Sequence, residues 1–319
     1  MTTRHLSLPA AEPAGAHARE IARGERFAFG ENWRRYLEVL DEERIAQAAE
    51  SLEAMLEDET PGANTPSGDT LCGKTFLDVG SGSGLFSLAA RRLGARVLSF
   101  DYDPAAVACT RELKRRYFPD DEDWQVRAGS VLDPKFLGSL GCFDIVYSWG
   151  VLHHTGDMWA ALANVDGNLK EGGRLFIALY NDQGGASRRW TAVKRGYNGL
   201  PSGLRGPFAV LIYLPLELRK LLGLLVRGRP QAYFSGIRGY ARSRGMSWWR
   251  DHIDWIGGYP FEVSKPEQIF DFYRSRRYTL LKLRTCGPGH GCNEYVFRKE
   301  MSAIADGCVP STQFPTSCS

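Results

Sequence analysis

The chain has 319 residues, of which 43% are hydrophobic and 24% charged, with 40 Lys and Arg against 37 Asp and Glu. That length can bury a proper core as one large domain or two modest ones. The composition excludes collagen, coiled coil and a wholly disordered chain, and a net charge of +3 does not by its size imply a nucleic-acid partner. Residues 1–24 are rich in Ala, Pro, Gly and charge and read as a mobile arm without an apolar leader run. Phe27 to Glu57 reads as two helices, because Trp33, Tyr36, Leu37 and Leu40, then Ile45, Ala49, Leu52 and Leu56, recur at helical spacing. The breaker-rich stretch 60–70 is a linker.

Strands and helices then alternate. Strands are predicted at Thr75–Val79, Arg96–Phe100, Trp124–Ala128, Phe143–Ser148 and Arg174–Tyr180. Helices are predicted at Leu85–Leu93, Pro104–Tyr117 and Met158–Leu169, the last ended by a Glu171–Gly173 turn. This alternation implies α/β architecture, a doubly wound and mostly parallel sheet with helices on both faces. Residues 184–261 break the pattern, with no strand signal and much Gly, Arg and aromatic character. Order resumes at Ser264, where SKPE suggests a helix with Ser264 as N-cap and Glu267 completing the capping box. Tyr278–Thr285 and Asn293–Arg298, joined by CGPGHG, read as an antiparallel pair, and 300–319 as a disordered tail.

The chemistry concentrates at FLDVGSGSG, residues 76–84. Gly80, Gly82 and Gly84 permit a tight turn and close backbone approach of a ligand, and the next helix points free N–H groups at the same place. Dinucleotide sites use G-x-G-x-x-G, but here the third glycine comes one residue early and Asp78 stands two positions before the turn. An acid there repels a pyrophosphate and suits an ammonium. Asp101 ends the second strand, where a carboxylate can bind ribose hydroxyls. An adenosine-type ligand with a cationic, amino-acid-like arm satisfies both acids.

With LDVGSGSG at 77–84, FDYDP at 100–104, AGSVLD at 128–133, FDIVYSWGVLHH at 143–154 and LKEGGRLFIALYN at 169–181, the chain resembles the class I S-adenosylmethionine-dependent methyltransferases. The resemblance covers about 75–183 and, more loosely, 264–299. It implies a Rossmann-like seven-stranded sheet with a terminal antiparallel pair, and S-adenosyl-L-methionine as cofactor. It implies that Asp78, Gly80, Ser81, Gly82 and Gly84 hold the methionine arm and ribose, that Asp101 binds the ribose hydroxyls, and that Tyr102 packs on the adenine. Ser130 and Val131 occupy adenine-edge positions. Asp133 would take over the exocyclic amine, although before Pro134 it also has the position of a helix cap. Ser148 and Trp149 would flank the methyl group.

Methyl transfer from a sulfonium needs alignment above all, and a base only for a hydroxyl or protonated amine acceptor. His153 and His154, just past the fourth strand, are the candidates for that base. Tyr180, Asn181 and Asp182 follow the fifth strand at its carboxyl end and are candidate acceptor contacts, with turn chemistry the alternative for Asn181 and Asp182. Trp255, within the cluster Trp248, Trp249, Asp251, His252 and Asp254, suits a sugar or polar ring, or a buried polar network. His290 lies in CGPGHGC, whose spacing fits no standard zinc site, so no metal is expected and a hairpin turn is preferred.

Residues 184–250 hold 13 Lys and Arg against Glu217 alone, a net charge of +12, leaving −9 for the rest. The segregation suggests an anionic partner: a phosphorylated or nucleotide-linked acceptor, a carrier protein, RNA or an anionic membrane. The apolar run Phe208–Val226 reads as a core helix of a lid in preference to a segment lying on a bilayer. The resulting organisation is an arm (1–24), a helical cap and linker (25–70), a methyltransferase core (71–183 and 262–299), a basic helical lid (184–261) and a tail (300–319). The expected function is methylation of an oxygen or nitrogen of a small, polar, anionic or glycosylated metabolite in specialised-metabolite or polysaccharide biosynthesis. The alternatives are an RNA-modifying enzyme and a non-catalytic adenosylmethionine-binding subunit; a nicotinamide dehydrogenase is disfavoured by the early glycine. Scattered, odd-numbered cysteines suggest a reducing cytoplasm.

Overall fold

The computed structural model describes residues 13–57, 71–244, 248–287 and 291–301. The expected linker, the tail beyond 301, residues 1–12 of the arm and His290 lie outside the described residues.

Seven strands form one sheet in the order β3-β2-β1-β4-β5-β7-β6. They are β1 (Thr75–Val79), β2 (Arg96–Asp101), β3 (Trp124–Ala128), β4 (Phe143–Trp149), β5 (Leu169–Tyr180), β6 (Tyr278–Arg284) and β7 (Cys292–Lys299). The first five run parallel, and β7 enters antiparallel between β5 and β6. Every residue of β1 is buried, as expected of a central strand covered on both faces. One apolar cluster centres on Leu77, Val146 and Ile177, and a second, on the opposite face, on Phe76, Ile145 and Phe176. Successive residues of each strand serve opposite clusters, as the two-residue pleat requires.

The helices before the insertion are α1 (Pro13–Ala22), α2 (Gly30–Tyr36), α3 (Glu42–Leu56), α4 (Leu85–Arg92), α5 (Pro104–Tyr117), α6 (Pro134–Gly138) and α7 (Met158–Asp166). Then come α8 (Gly185–Gly199), α9 (Ser202–Val226), α10 (Gln231–Arg244) and α11 (Trp248–Gly257) of the insertion, and α12 (Pro266–Arg274). The insertion leaves and rejoins the sheet at one point: Ser264 N–H donates to the Tyr180 carbonyl and Asp182 N–H to the Ser264 carbonyl, both at 3.0 Å. Its own small core joins Tyr197, Ala209, Tyr213 and Ile256, with Phe27, Trp190 and Trp255 against them.

Four local expectations change. Residues 13–22 of the arm are helical: Tyr102 donates to Glu20 at 2.9 Å, and His17 meets the Tyr102 ring edge-on. The helix after β4 stops at Asp166, and Leu169 already pairs with Phe143, so the expected turn at 171–173 is a bulged stretch of β5. The N-cap of α12 is Lys265, whose N–H donates to Gln268 at 2.9 Å, because the backbone of Ser264 is committed to the bridge with Asn181. The apolar run in α9 is not a core helix, since only Ala209 and Tyr213 are buried there.

Candidate active site

The turn after β1 is held by backbone bonds to β2. Gly80 and Ser81 N–H donate to the Phe100 carbonyl at 2.9 and 3.1 Å, and Gly82 N–H to Asp101 Oδ2 at 2.9 Å. Gly80 (φ +81°) has a left-handed backbone, and a Cβ on it would lie 2.3 Å from Val151 Cγ1. Only glycine fits there. Ser81 is tied to Thr110 at 2.9 Å, and Gly84 caps α4 in the left-handed region.

Two carboxylates flank this turn, Asp78 buried and Asp101 half-buried. Asp78 lines the cavity with Oδ2 accepting from Ser87 Oγ. Burial lifts its pKa to about 7, against the Ser87 hydrogen bond and with the charge of Asp101 adding to the rise. Asp101 accepts from Gly82 N–H on one oxygen and from Asp103 N–H, at 2.9 Å, on the other; burial still lifts it to about 6. Tyr102 borders the same space, its ring beneath the Arg26 guanidinium at 5.0 Å.

These groups open into a cavity of about 920 Å³ that also takes in Ser130, Val131, Trp149, His154, Tyr180 and Trp255. The two histidines part company. His153 is fully buried behind the wall, takes the Tyr180 N–H on Nδ1 at 3.3 Å, and leaves Nε2 without a partner among the described residues. Burial, then the neighbouring His154 and Lys194, hold its pKa well below the ordinary value. His154 reaches the cavity. Its Nδ1 lies 2.6 Å from the Pro260 carbonyl, which can only accept, so Nδ1 carries the proton and Nε2 the lone pair. Burial lowers its pKa to about 3, so the ring is neutral.

Several expected contacts lie elsewhere. Asp133 is exposed and caps α6, accepting from Lys135 and Phe136 N–H, and does not line the cavity. Ser148 is buried and donates to the Val79 carbonyl at 2.9 Å, joining β4 to β1 rather than facing the cavity. Asn181 accepts from Asn293 Nδ2 at 3.1 Å, and Asp182 from Gly184 N–H at 2.8 Å; both shape the exit from β5 instead of lining the cavity. Asn293 also accepts from Cys286 N–H at 3.1 Å, which holds the hairpin turn.

The opposite wall comes from distant chain. Arg26 donates to the His154 and Thr155 carbonyls at 2.8 and 3.2 Å, and Trp33 sits against Gly82. Trp33 lies in a stretch whose periodicity indicated only helices, and Arg26 just before it. From the insertion come Tyr213, Asp251, His252 and Asp254. Asp254 accepts from Asn32, Asp251 from Tyr240, and burial followed by the charge of Asp251 lifts Asp254 to about 7. Just behind Trp255 the fully buried Lys194 donates to the Trp255 carbonyl and lies 4.2 Å from that ring's centre; burial lowers it to about 7.

No basic wall suited to an anionic acceptor lines this space. Arg26 is the one Lys or Arg at the cavity among the described residues, and it is engaged by Glu20 and two carbonyls.

Residues 77–177 match the family described as "Methyltransferase domain". A tRNA U34 carboxymethyltransferase of Methylococcus capsulatus is 34% identical over 119 residues, covering 37% of this chain and 36% of that protein. A ubiquinone biosynthesis O-methyltransferase of Paramagnetospirillum magneticum is 36% identical over 109 residues, covering 34% and 41%. The chain thus spans about two fifths of the length of these relatives. Among solved structures, an O-methyltransferase family protein of Burkholderia thailandensis aligns at 13% identity and TM-score 0.49, covering 94% of this chain and 76% of that one.

Proposed function

We propose that this chain, which belongs through residues 77–177 to the class I S-adenosylmethionine-dependent methyltransferases, methylates an oxygen or nitrogen of a small polar acceptor enclosed between the glycine turn and the insertion. The observation that carries this reading is one continuous cavity joining Asp78 and Asp101 to His154, Tyr180 and Asp254.

The residues present fit the donor. The left-handed Gly80 turn, with Val151 packed where a Cβ would stand, holds Asp78 and Asp101 at the cavity, and the two carboxylates meet the demands of a cationic arm and a ribose. When bound, S-adenosylmethionine supplies a methyl activated by its sulfonium. Asp78 would take the ammonium, Asp101 the ribose hydroxyls, and Tyr102 and Val131 the adenine surroundings. Both acids must be ionised for this. Donor affinity is therefore expected to weaken as pH falls through about 7 and then about 6, measurable by calorimetry on either side of neutrality.

On the acceptor side, His154 is the proton-orienting group, and His153 does not reach the cavity. The His154 Nε2 lone pair accepts from the acceptor's O–H or N–H and aligns the nucleophile; with the ring's pKa lowered to about 3, the proton passes to water after the methyl is transferred instead of staying on the ring. Tyr180 and Trp255 supply flat apolar walls, and Asp251 and Asp254 favour a neutral or amine-bearing acceptor over an anionic one. The same two acids disfavour an RNA phosphate backbone inside the cavity.

The test is calorimetry with S-adenosylhomocysteine, followed by activity against a panel of amine, phenol and carboxylate acceptors. Tight binding that Asp101→Ala weakens roughly tenfold to a hundredfold is expected, the loss typical of hydrogen bonds to a charged group. No binding, or binding indifferent to that substitution, would sink the reading.

A further inference from the structure

α9 carries a surface that the proposed methyl transfer does not use. Its inward face packs Ala209 and Tyr213 into the core of the insertion, with Phe208 and Ile212 beside them. On the far side Leu211, Leu214, Leu218, Leu222 and Leu225 recur every three or four residues, which aligns them in one stripe. They are 68%, 53%, 49%, 60% and 48% exposed. Val226 at the end of α9 and Phe234 on α10 extend the apolar surface. At 25 residues the helix is about 37 Å long, so the stripe is far larger than scattered surface leucines.

The charge around the stripe has one sign. Arg219, Lys220, Arg227, Arg229 and Arg238 are exposed on α9, α10 and the turn between them. Glu217, the single acid of residues 184–250, turns inward to within 3.5 Å of His252 Nε2. None of these five cations lines the cavity. No helix among the described residues is long and apolar enough to cross a membrane.

We propose that the α9 stripe and its basic border dock this protein on the surface of an anionic phospholipid bilayer, with the leucines in the acyl boundary and the arginines among the headgroups. Charge complementarity selects this occupant. A second copy would bring one cationic face against another, and a nucleic acid offers nothing to cover a row of leucines. A helix with an apolar stripe, cationic margins and an opposite face anchored in the protein has the form of an interfacial helix. The arrangement also sets the cavity beside the bilayer, because Tyr213, adjacent to Leu214, lines it.

The test is flotation of the full chain with vesicles of phosphatidylcholine alone and of phosphatidylcholine mixed with phosphatidylglycerol. Flotation with the anionic vesicles, weakened by salt and reduced at least about tenfold by Leu214→Asp with Leu218→Asp, is expected from the burial each leucine gives up. S-adenosylhomocysteine binding should stay unchanged in that variant. Arg227→Glu with Arg229→Glu, which leaves the apolar stripe intact, should also reduce flotation and guards against misfolding of the aspartate variant. Absence of flotation, or equal flotation with both vesicle types, overturns the proposal. So does a concentration-dependent dimer that the leucine substitutions dissolve while vesicle binding persists.

Discussion

The two ends of the cavity each present a pair of acids, yet they are built in opposite ways. At the proposed donor end Asp78 and Asp101 stand at the carboxyl ends of neighbouring parallel strands, and the Gly82 and Asp103 N–H groups hold Asp101 in place. At the acceptor end Asp251 and Asp254 share one turn of α11, and their partners Tyr240 and Asn32 arrive from another helix and from the N-terminal segment. The first end is rigid because strand register defines it. The second depends on how separate pieces of chain pack, so it is where specificity can change without disturbing the donor.

The sharpest way to break this contrast is a paired glycine experiment. Gly80→Ala forces a Cβ against Val151 in a left-handed backbone, with overpacking of about 1–3 kcal/mol and a further 1–2 kcal/mol for the conformation. Calorimetry should find donor affinity reduced about thirtyfold or more, in line with that sum. Gly257→Ala, whose Cβ would strike the Phe27 ring at 2.2 Å, should lower thermal stability and leave donor binding nearly intact. If both changes abolish donor binding, the two ends are not separable.

His154→Gln retains an amide N–H for the Pro260 carbonyl but removes the ring lone pair. A fall in kcat of about a hundredfold or more, with donor affinity unchanged, is expected for a base or proton-orienting group. A loss confined to KM would make His154 a wall residue.

Asp254→Asn tests the acceptor end by pH. Its folded pKa is raised from 3.8 to about 7, so the ionised form is disfavoured in the native state. The stability this group contributes is present below about pH 4 and is lost as pH rises toward 7. The asparagine variant should therefore melt a few degrees higher than the parent at alkaline pH and no higher in acid.

The smallest effect is expected from Tyr102→Phe. It removes the hydrogen bond to Glu20 and should loosen α1 by about 1 kcal/mol, visible as faster hydrogen exchange over residues 13–22. Donor binding should change little, because the ring remains.

Legibility follows the same division. The limits of β1, α5 and β3 match their expected residues, since buried strands and a proline-started helix carry their signals within a few positions. The carboxylates at 78 and 101 could be found from spacing alone. For Asp133 the sequence offers a ligand contact and a helix cap alike, and the structure shows the cap; Ser148 joins β4 to β1 because its strand neighbour, not its local sequence, decides its partner. Which histidine faces the cavity depends on the short helical turn at Leu152–His154 and on Pro260, more than a hundred residues away.

Hydrophobic period, turn chemistry and the glycine–acid spacing are local, so the order of amino acids alone specifies the α/β core and the glycine turn between β1 and α4. The contribution of Arg26, Trp33 and Asp254 to one cavity, and the outward turn of the α9 leucines, are pairings between distant segments. Periodicity reveals that a helix has an apolar face but not what lies opposite it; that is decided when burial of Tyr213 against Ile256 leaves the leucine stripe in the open.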